Sequence, residues 1–251
     1  MKLKVGIIDN QNIENESQEN QILLIDNYSR GFPTDRIQRI ENIVNNCIAD
    51  VNLKIVHYSQ FKSEKMDQYI GIILSGSNLN VSSFYYDDRQ KKKFYEELKL
   101  IREIKHTPML AICFGIQIVA YAYGAQVCRM RIPGLGGEII FLILNETDLL
   151  ITHKNIPVNV HHRDFVSPND SEILNNFNIK SISRTKGYRI VQYMSHKNKP
   201  LYAIQFHPET HNPLFFHSSI FDDRIADKTR AVGKEIIENF LWMCYYKKNH
   251  K

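Results

Sequence analysis

Met109-Leu110-Ala111-Ile112-Cys113-Phe114-Gly115-Ile116-Gln117 passes from a short apolar run into a helical pattern with no loop between the two. A strand that turns straight into a helix forces the residue at the junction, Cys113, into a strained turn, and Gly115 leaves room for helix and strand to approach closely. The thiol then stands at the C-terminal end of the strand, where the helix N-terminus favours its thiolate. Further along, Ala203-Ile204-Gln205-Phe206-His207-Pro208-Glu209 places a histidine and a carboxylate two residues apart on an extended segment. Side chains so spaced share one side of the backbone, which suits His207 as a general base and Glu209 as the group that orients it.

Outward from Cys113, apolar runs alternate with helical periodicity, the pattern of an α/β protein with a parallel sheet and helices on both faces. Strands are expected at residues 21–27, 53–58, 69–74, 108–113, 138–144, 158–162, 181–183, 189–194 and 201–206. Helices are expected at 35–49, at 88–104 with Phe94, Leu98 and Ile101 on one face, from the elbow to Tyr123, and at 232–245. Residues 1–20 carry a further strand-like run, Lys4-Val5-Gly6-Ile7-Ile8-Asp9, before a polar stretch. It is either an added edge strand or the first strand followed by a long loop.

The two motifs together resemble those of the class I glutamine amidotransferases, which carry a C-x-G-x-Q elbow and a later F-H-P-E segment. The resemblance covers roughly residues 20 to 245. Ile72-Ile73-Leu74-Ser75-Gly76-Ser77 is similar to the family's oxyanion strand, and Val160-His161-His162-Arg163-Asp164-Phe165-Val166 to its substrate-side loop. The resemblance implies a flavodoxin-like, mostly parallel central sheet, over residues 21–251, with an insertion at 210–230. It also implies a catalytic triad of Cys113, His207 and Glu209 that hydrolyses glutamine, with backbone N–H groups of Phe114 and Ser77 as oxyanion donors. Gly76, Gln117, His162, Arg163 and Asp164 would contact the substrate, and neither cofactor nor metal is implied. The family usually has glycine where Ser77 stands, so the serine side chain needs room.

Three functions remain open on this basis. The first is an amidotransferase subunit that passes ammonia to a partner synthetase. The second is a stand-alone γ-glutamyl peptidase, which Ser75-Gly76-Ser77 and Ile112-Cys113-Phe114-Gly115 resemble, although Phe206 before His-Pro-Glu departs from that branch. The third, a non-catalytic binding or regulatory homologue, sits badly with an intact triad. Gln117 could instead be a helix residue bonded to a neighbouring loop; His161 and His162 could be metal ligands with His207 or His211, but a catalytic His207 already has its role, so no metal site is expected. Within the insertion, Pro213-Leu214-Phe215-Phe216 and Ile220-Phe221 would be costly if fully exposed, and suit a cap over the site or a partner surface.

Composition agrees with this picture. The 251 residues, 43% hydrophobic, suffice for the core of one large α/β domain but not for that domain plus a synthetase. The net charge of +5 is scattered, with clusters only at Lys91-Lys92-Lys93 and Lys247-Lys248, so nucleic-acid binding is not expected. No apolar stretch reaches membrane-spanning length and the N-terminus lacks a signal peptide's apolar core, which points to the cytosol. Cys47, Cys113, Cys128 and Cys244 form no C-x-x-C pair, against a zinc site or disulfide framework. Cys47 and Cys244 read as small core residues, and Cys128 lacks the elbow context.

Overall fold

The computed structural model describes residues 20–64, 66–131, 134, 136–209 and 223–249; the strand-like run at 4–9 and the apolar runs at 213–216 and 220–221 lie outside them, as does His211. In chain order its elements are β1 (Gln21–Asp26), α1 (Arg36–Cys47), β2 (Asn52–His57), β3 (Tyr69–Leu74), α2 (Asp88–Lys93), α3 (Tyr95–Glu103), β4 (Met109–Ile112) and α4 (Phe114–Ala122). They continue with β5 (Val127–Arg129), β6 (Glu138–Ile143), β7 (Asn155–Val160), β8 (Asp164–Val166), α5 (Ser171–Asn176), β9 (Phe177–Thr185), β10 (Tyr188–His196), β11 (Leu201–Ile204) and α6 (Asp223–Asn249).

Alternation along the central strands divides the interior into two cores. On β1, Ile22 and Leu24 face one cluster and Leu23 and Ile25 the other, as a two-residue side-chain period requires. β3 and β4 are buried at every position, which is why they read as unbroken apolar runs. The main sheet has the order β2-β1-β3-β4-β11-β10-β9. Its strands from β2 to β11 run parallel, and β10 and β9 close that edge as an antiparallel pair. α1 and α6 cover one face through Ile40, Val44, Ile237 and Phe240, while α3 and α4 cover the other through Leu98, Ile101, Ile118 and Val119.

Several elements differ from the sequence expectation. The helix expected at 88–104 is two helices, because Phe94 leaves helical geometry (ψ 9°) as its ring stacks 4.3 Å from Tyr58 and packs 5.2 Å from Phe114. The strand expected at 158–162 is longer at its start and ends at Val160, pairing with β6. β8 and its partner β5 have three residues each, too few for periodicity to reveal. Mutual pairing carries β9 and β10 beyond their expected bounds. The short helix α5 is set by Asp170, whose side chain caps the N–H groups of Glu172 and Ile173. α6 begins at Asp223 rather than 232, because Ala226, Thr229 and Val232 continue the buried stripe of Ile236, Ile237 and Phe240. Residues 223–230 therefore belong to the closing helix. Among the described residues no helix is long and apolar enough to cross a membrane.

The parallel pairing of β4 with β11 brings the two motifs together. Ala203 sits opposite Ala111 and Ile204 opposite Ile112, so the chain leaves both strands at the same end, towards Cys113 and towards His207. α6 then packs over the second segment, with Gly233 against the Pro208 backbone: a Cβ at Gly233 would overlap the Pro208 carbonyl. Glycine-to-alanine within a helix ordinarily gains about 1 kcal/mol. Gly233→Ala is expected to do the opposite and lower the melting temperature by at least about 3 °C, read by thermal unfolding. A rise would show that α6 does not press on Pro208.

Candidate active site

Cys113 lies between β4 and α4 with φ 53° and ψ −97°, a conformation that costs a non-glycine residue on the order of 1–3 kcal/mol. Both flanks hold it there. Its N–H donates to the Ile204 carbonyl at 2.8 Å, and the residues that follow begin a helix buried over most of its length. The thiol is directed at the His161 carbonyl (3.6 Å), and the Gln205 amide donates towards Sγ at 3.7 Å. Phe114 opens α4, and the first N–H groups of a helix have no partner within it.

The second motif meets the first across the β4–β11 boundary. The His207 N–H donates to the Asn159 carbonyl at 2.8 Å, and its Nδ1 lies 2.6 Å from Glu209 Oε1 with both side chains buried. Burial and the Arg36 cation push the His207 pKa down, Cys113 and the Glu209 carboxylate push it up, and the balance lies at about 9. Burial alone would raise the pKa of Glu209; His207 and Arg36 outweigh it and hold the carboxyl below its ordinary value.

Arg36, the first residue of α1, is a site residue that the sequence reading missed. Its Nη1 lies 2.7 Å from Nε2 and 2.9 Å from Nδ1 of His207 and 3.2 Å from Tyr28 Oη, and its Nη2 lies 3.5 Å from His161 Nδ1. Nη1 is thus almost equally far from the two ring nitrogens, which sets it against the Cε1 side of the imidazole and off the lone-pair axis of either. The sequence held one weak sign: a cation in the first turn opposes the helix dipole. Gly76 reaches the same place from the other side, since a Cβ there would lie 2.9 Å from both His207 Cε1 and Tyr28 Oη.

A cavity of about 540 Å³, within the range of small-ligand sites, gathers most of the expected residues. Ser77, Cys113, Phe114, Gln117, His162, Arg163 and Asp164 line it together with Arg36 and Tyr28; Gly76 is beside His207 rather than on its wall. The Ser77 side chain has its room: its hydroxyl donates to the Asn27 carbonyl at 2.5 Å and accepts from the Leu79 N–H. Gln117 is tied to structure as well as facing the cavity, donating to the Asp164 carbonyl (2.9 Å) and to Gln205 Oε1 (3.4 Å). His162 Nδ1 engages the Asp164 carbonyl, and burial holds its pKa down at about 3. Burial together with Arg36 and His207 lowers that of His161 to about 4.

The Asp164 carboxylate accepts from the N–H and hydroxyl of Ser82. Arg163 Nε donates to the Met130 carbonyl. Among the described residues no three histidine, cysteine or acidic side chains are grouped to hold a metal ion. Burial raises the thiol pKa of Cys47, to about 11, and those of Cys128 and Cys244.

The glutamine amidotransferase class-I family matches residues 24–225, and the chain belongs to that family. Its activity is that of a class-I glutamine amidotransferase hydrolase. Among curated relatives, a glutamine-hydrolyzing GMP synthase subunit of Thermoplasma volcanium is 28% identical over 74% of this chain and 77% of that protein. The corresponding protein of Methanocaldococcus jannaschii is 31% identical over 70% of this chain and 75% of its own length. A crystal structure of a Thermoplasma acidophilum protein assigned as a GMP synthase subunit superposes with a TM-score of 0.67 at 24% identity, covering 92% of this chain and 96% of that one, a likeness of fold.

Arg36 is a cation that lowers the His207 pKa. Arg36→Gln is therefore expected to move the His207 titration upward from about 9, measured by NMR on the imidazole Cε1 proton. A midpoint that stays or falls would contradict the charge interaction.

Proposed function

We propose that the chain is the glutaminase subunit of a glutamine-dependent synthetase of the GMP synthase kind, and that Cys113, His207 and Glu209 are its catalytic triad. The observation that carries this reading is the meeting of the strained Cys113 elbow with the buried His207–Glu209 pair at the ends of adjacent parallel strands. The GMP synthase relatives, themselves single subunits, support the synthetase partner. Residues 21–251 are read as one amidotransferase-like domain.

The chemistry follows from these groups. The Cys113 thiolate attacks the side-chain amide carbon of glutamine, and the oxyanion of the tetrahedral intermediate takes hydrogen bonds from the backbone N–H groups of Phe114 and Ser77. His207 gives a proton to the departing nitrogen, so that ammonia leaves and a glutamyl thioester remains. Water, deprotonated by His207, then attacks the thioester and releases glutamate, returning the thiol. Glu209 holds the imidazole tautomer and stabilises its charged form. Gln117 and the 162–164 backbone bound the substrate space, and the Arg36 cation beside the imidazole makes its charged form a readier proton donor. Ammonia would pass to the synthetase.

Cys113→Ala is expected to abolish glutamine hydrolysis without unfolding the chain, and His207→Ala to cost nearly as much. Glu209→Gln should leave more activity than either, with all losses exceeding about a thousandfold, because the triad acts as a unit. Steady-state ammonia release and a glutamine-derived electrophile, which should label Cys113 and spare Cys128, check these roles. Labelling of another cysteine would remove the elbow assignment.

The partner is tested separately. The purified chain is expected to hydrolyse glutamine slowly, and addition of its partner synthetase with that enzyme's substrates should raise the rate. Rapid turnover of a γ-glutamyl peptide by the chain alone, with glutamine a poor substrate, would favour the peptidase instead.

A further inference from the structure

Beneath the oxyanion segment lies a carboxyl group that the chemistry above does not use. Glu97, on α3, is 1% exposed, and its Oε1 accepts a hydrogen bond from Asn27 Nδ2 at 3.0 Å. The other two polar atoms of this pair, Glu97 Oε2 and Asn27 Oδ1, are buried without hydrogen-bond partners. A carboxylate and an amide share one hydrogen bond, leaving two acceptor oxygens unmatched in an apolar core, where a buried acceptor without a donor is destabilising. A carboxylic acid and an amide share two, because the acid O–H donates to Oδ1 while Nδ2 donates to Oε1. A proton on Oε2 would supply the donor that Asn27 Oδ1 lacks.

Asn27 in turn holds the oxyanion segment. Its N–H donates to Ser75 Oγ (2.9 Å), its Nδ2 reaches the Ser75 carbonyl (3.3 Å), and its own carbonyl accepts from the Ser77 hydroxyl (2.5 Å). Ser75 Oγ passes the chain on to the Gly76 carbonyl at 2.8 Å. We propose that Glu97 is a positioning residue, kept as the neutral acid in a reciprocal two-hydrogen-bond pair with Asn27, and that this pair fixes the Ser75-Gly76-Ser77 segment for catalysis.

This inference deepens the glutaminase reading and rests on it for its kinetic consequence. The electrostatics of the site agree with the geometry: burial, opposed only by the Asn27 bond, raises the Glu97 pKa to about 8. The titratable groups on the surrounding elements are turned to other partners: Glu96 to Ser63, Asp26 to the Tyr28 N–H, and Tyr58 stacked on Phe94.

The test compares Glu97→Gln and Glu97→Leu with the wild-type chain. Glutamine in this position presents an oxygen to Nδ2 and an amide N–H to Oδ1, preserving both hydrogen bonds at every pH. Infrared difference spectroscopy near neutral pH should show the carbonyl band of a buried protonated carboxyl group in wild type, lost as the pH passes about 8 and missing in Glu97→Gln. In glutamine hydrolysis, wild-type kcat should begin its alkaline fall near pH 8, whereas Glu97→Gln should fall only near pH 9 with His207, the two agreeing within about twofold at pH 7. Glu97→Leu, which breaks the pair, should lose about tenfold to a hundredfold in kcat with KM little changed.

The folded chain binds the Glu97 proton more tightly than the unfolded chain, so its contribution to stability fades between the ordinary value of 4.5 and about 8. Glu97→Gln should accordingly melt above wild type at pH 9. No protonated-carboxyl band, superimposable pH profiles for wild type and Glu97→Gln, or equal damage by Gln and Leu would each overturn the proposal. If Glu97→Leu does not fold, the comparison of wild type with Glu97→Gln decides alone. A wild-type chain with no glutaminase activity would count against the function above, while the infrared measurement still judges Glu97.

Discussion

The backbone of Cys113 is the constraint on which the site depends. At φ 53° it spends conformational energy that an isolated peptide would not, and it stays there because both neighbours are already committed. β4 is paired on each side, with β3 and β11, and α4 is held by the second core cluster. The Cys113 N–H bond to Ile204 then stitches the elbow to the strand that leads to His207. The sheet therefore acts as a jig: hydrophobic burial on two faces fixes two chain exits side by side, and the reactive groups follow from where those exits point.

What gathers at these exits is an unusual density of charge in a dry place. Arg36, His207 and Glu209 are all nearly excluded from solvent, and isolated charges there would be prohibitive. Each is compensated by a neighbour: Glu209 by His207 and Arg36, and His207 by Glu209 and Cys113. Arg36 is the member with two faces. Its charge supports the anions but opposes protonation of the imidazole, so the position of one guanidinium sets how readily the base takes a proton. Glu97, in the network under Ser75, shows the other solution to burial, since burial raises its pKa to about 8 and favours the neutral acid.

α6 ties the second motif to the fold. Its buried stripe runs from Ala226 to Cys244 against α1 and the sheet, and Gly233 lets it lie on the Pro208 backbone. The His207–Glu209 segment is thus packed by α6, in addition to the Asn159 carbonyl bond to the His207 N–H. Positional order of this kind matters because a buried hydrogen bond of 2.6 Å tolerates little drift.

The sequence by itself determined the sheet and the two motifs. β3 and β4 were legible because strands buried on both faces are apolar throughout, and the elbow because a strand meets a helix with no loop between. His207 and Glu209 were legible as a motif, but β11 ends at Ile204 and the pair stands on a bend and turn rather than on the extended segment expected, so their contact comes from that turn and not from a strand's two-residue period. What lay beyond local rules was invisible. Three-residue strands β5 and β8 exist through their pairing alone, and Phe94 splits a helix because Tyr58, Phe84 and Phe114 surround it in space. Arg36 is 171 positions from His207, and Glu97 is 70 from Asn27. No periodicity links such residues. Only the tertiary structure, by closing strands and helices over them, decided that a surface-type cation would meet the imidazole and that a helix glutamate would be buried against an amide, because burial is a property of the assembled core and not of any segment of chain.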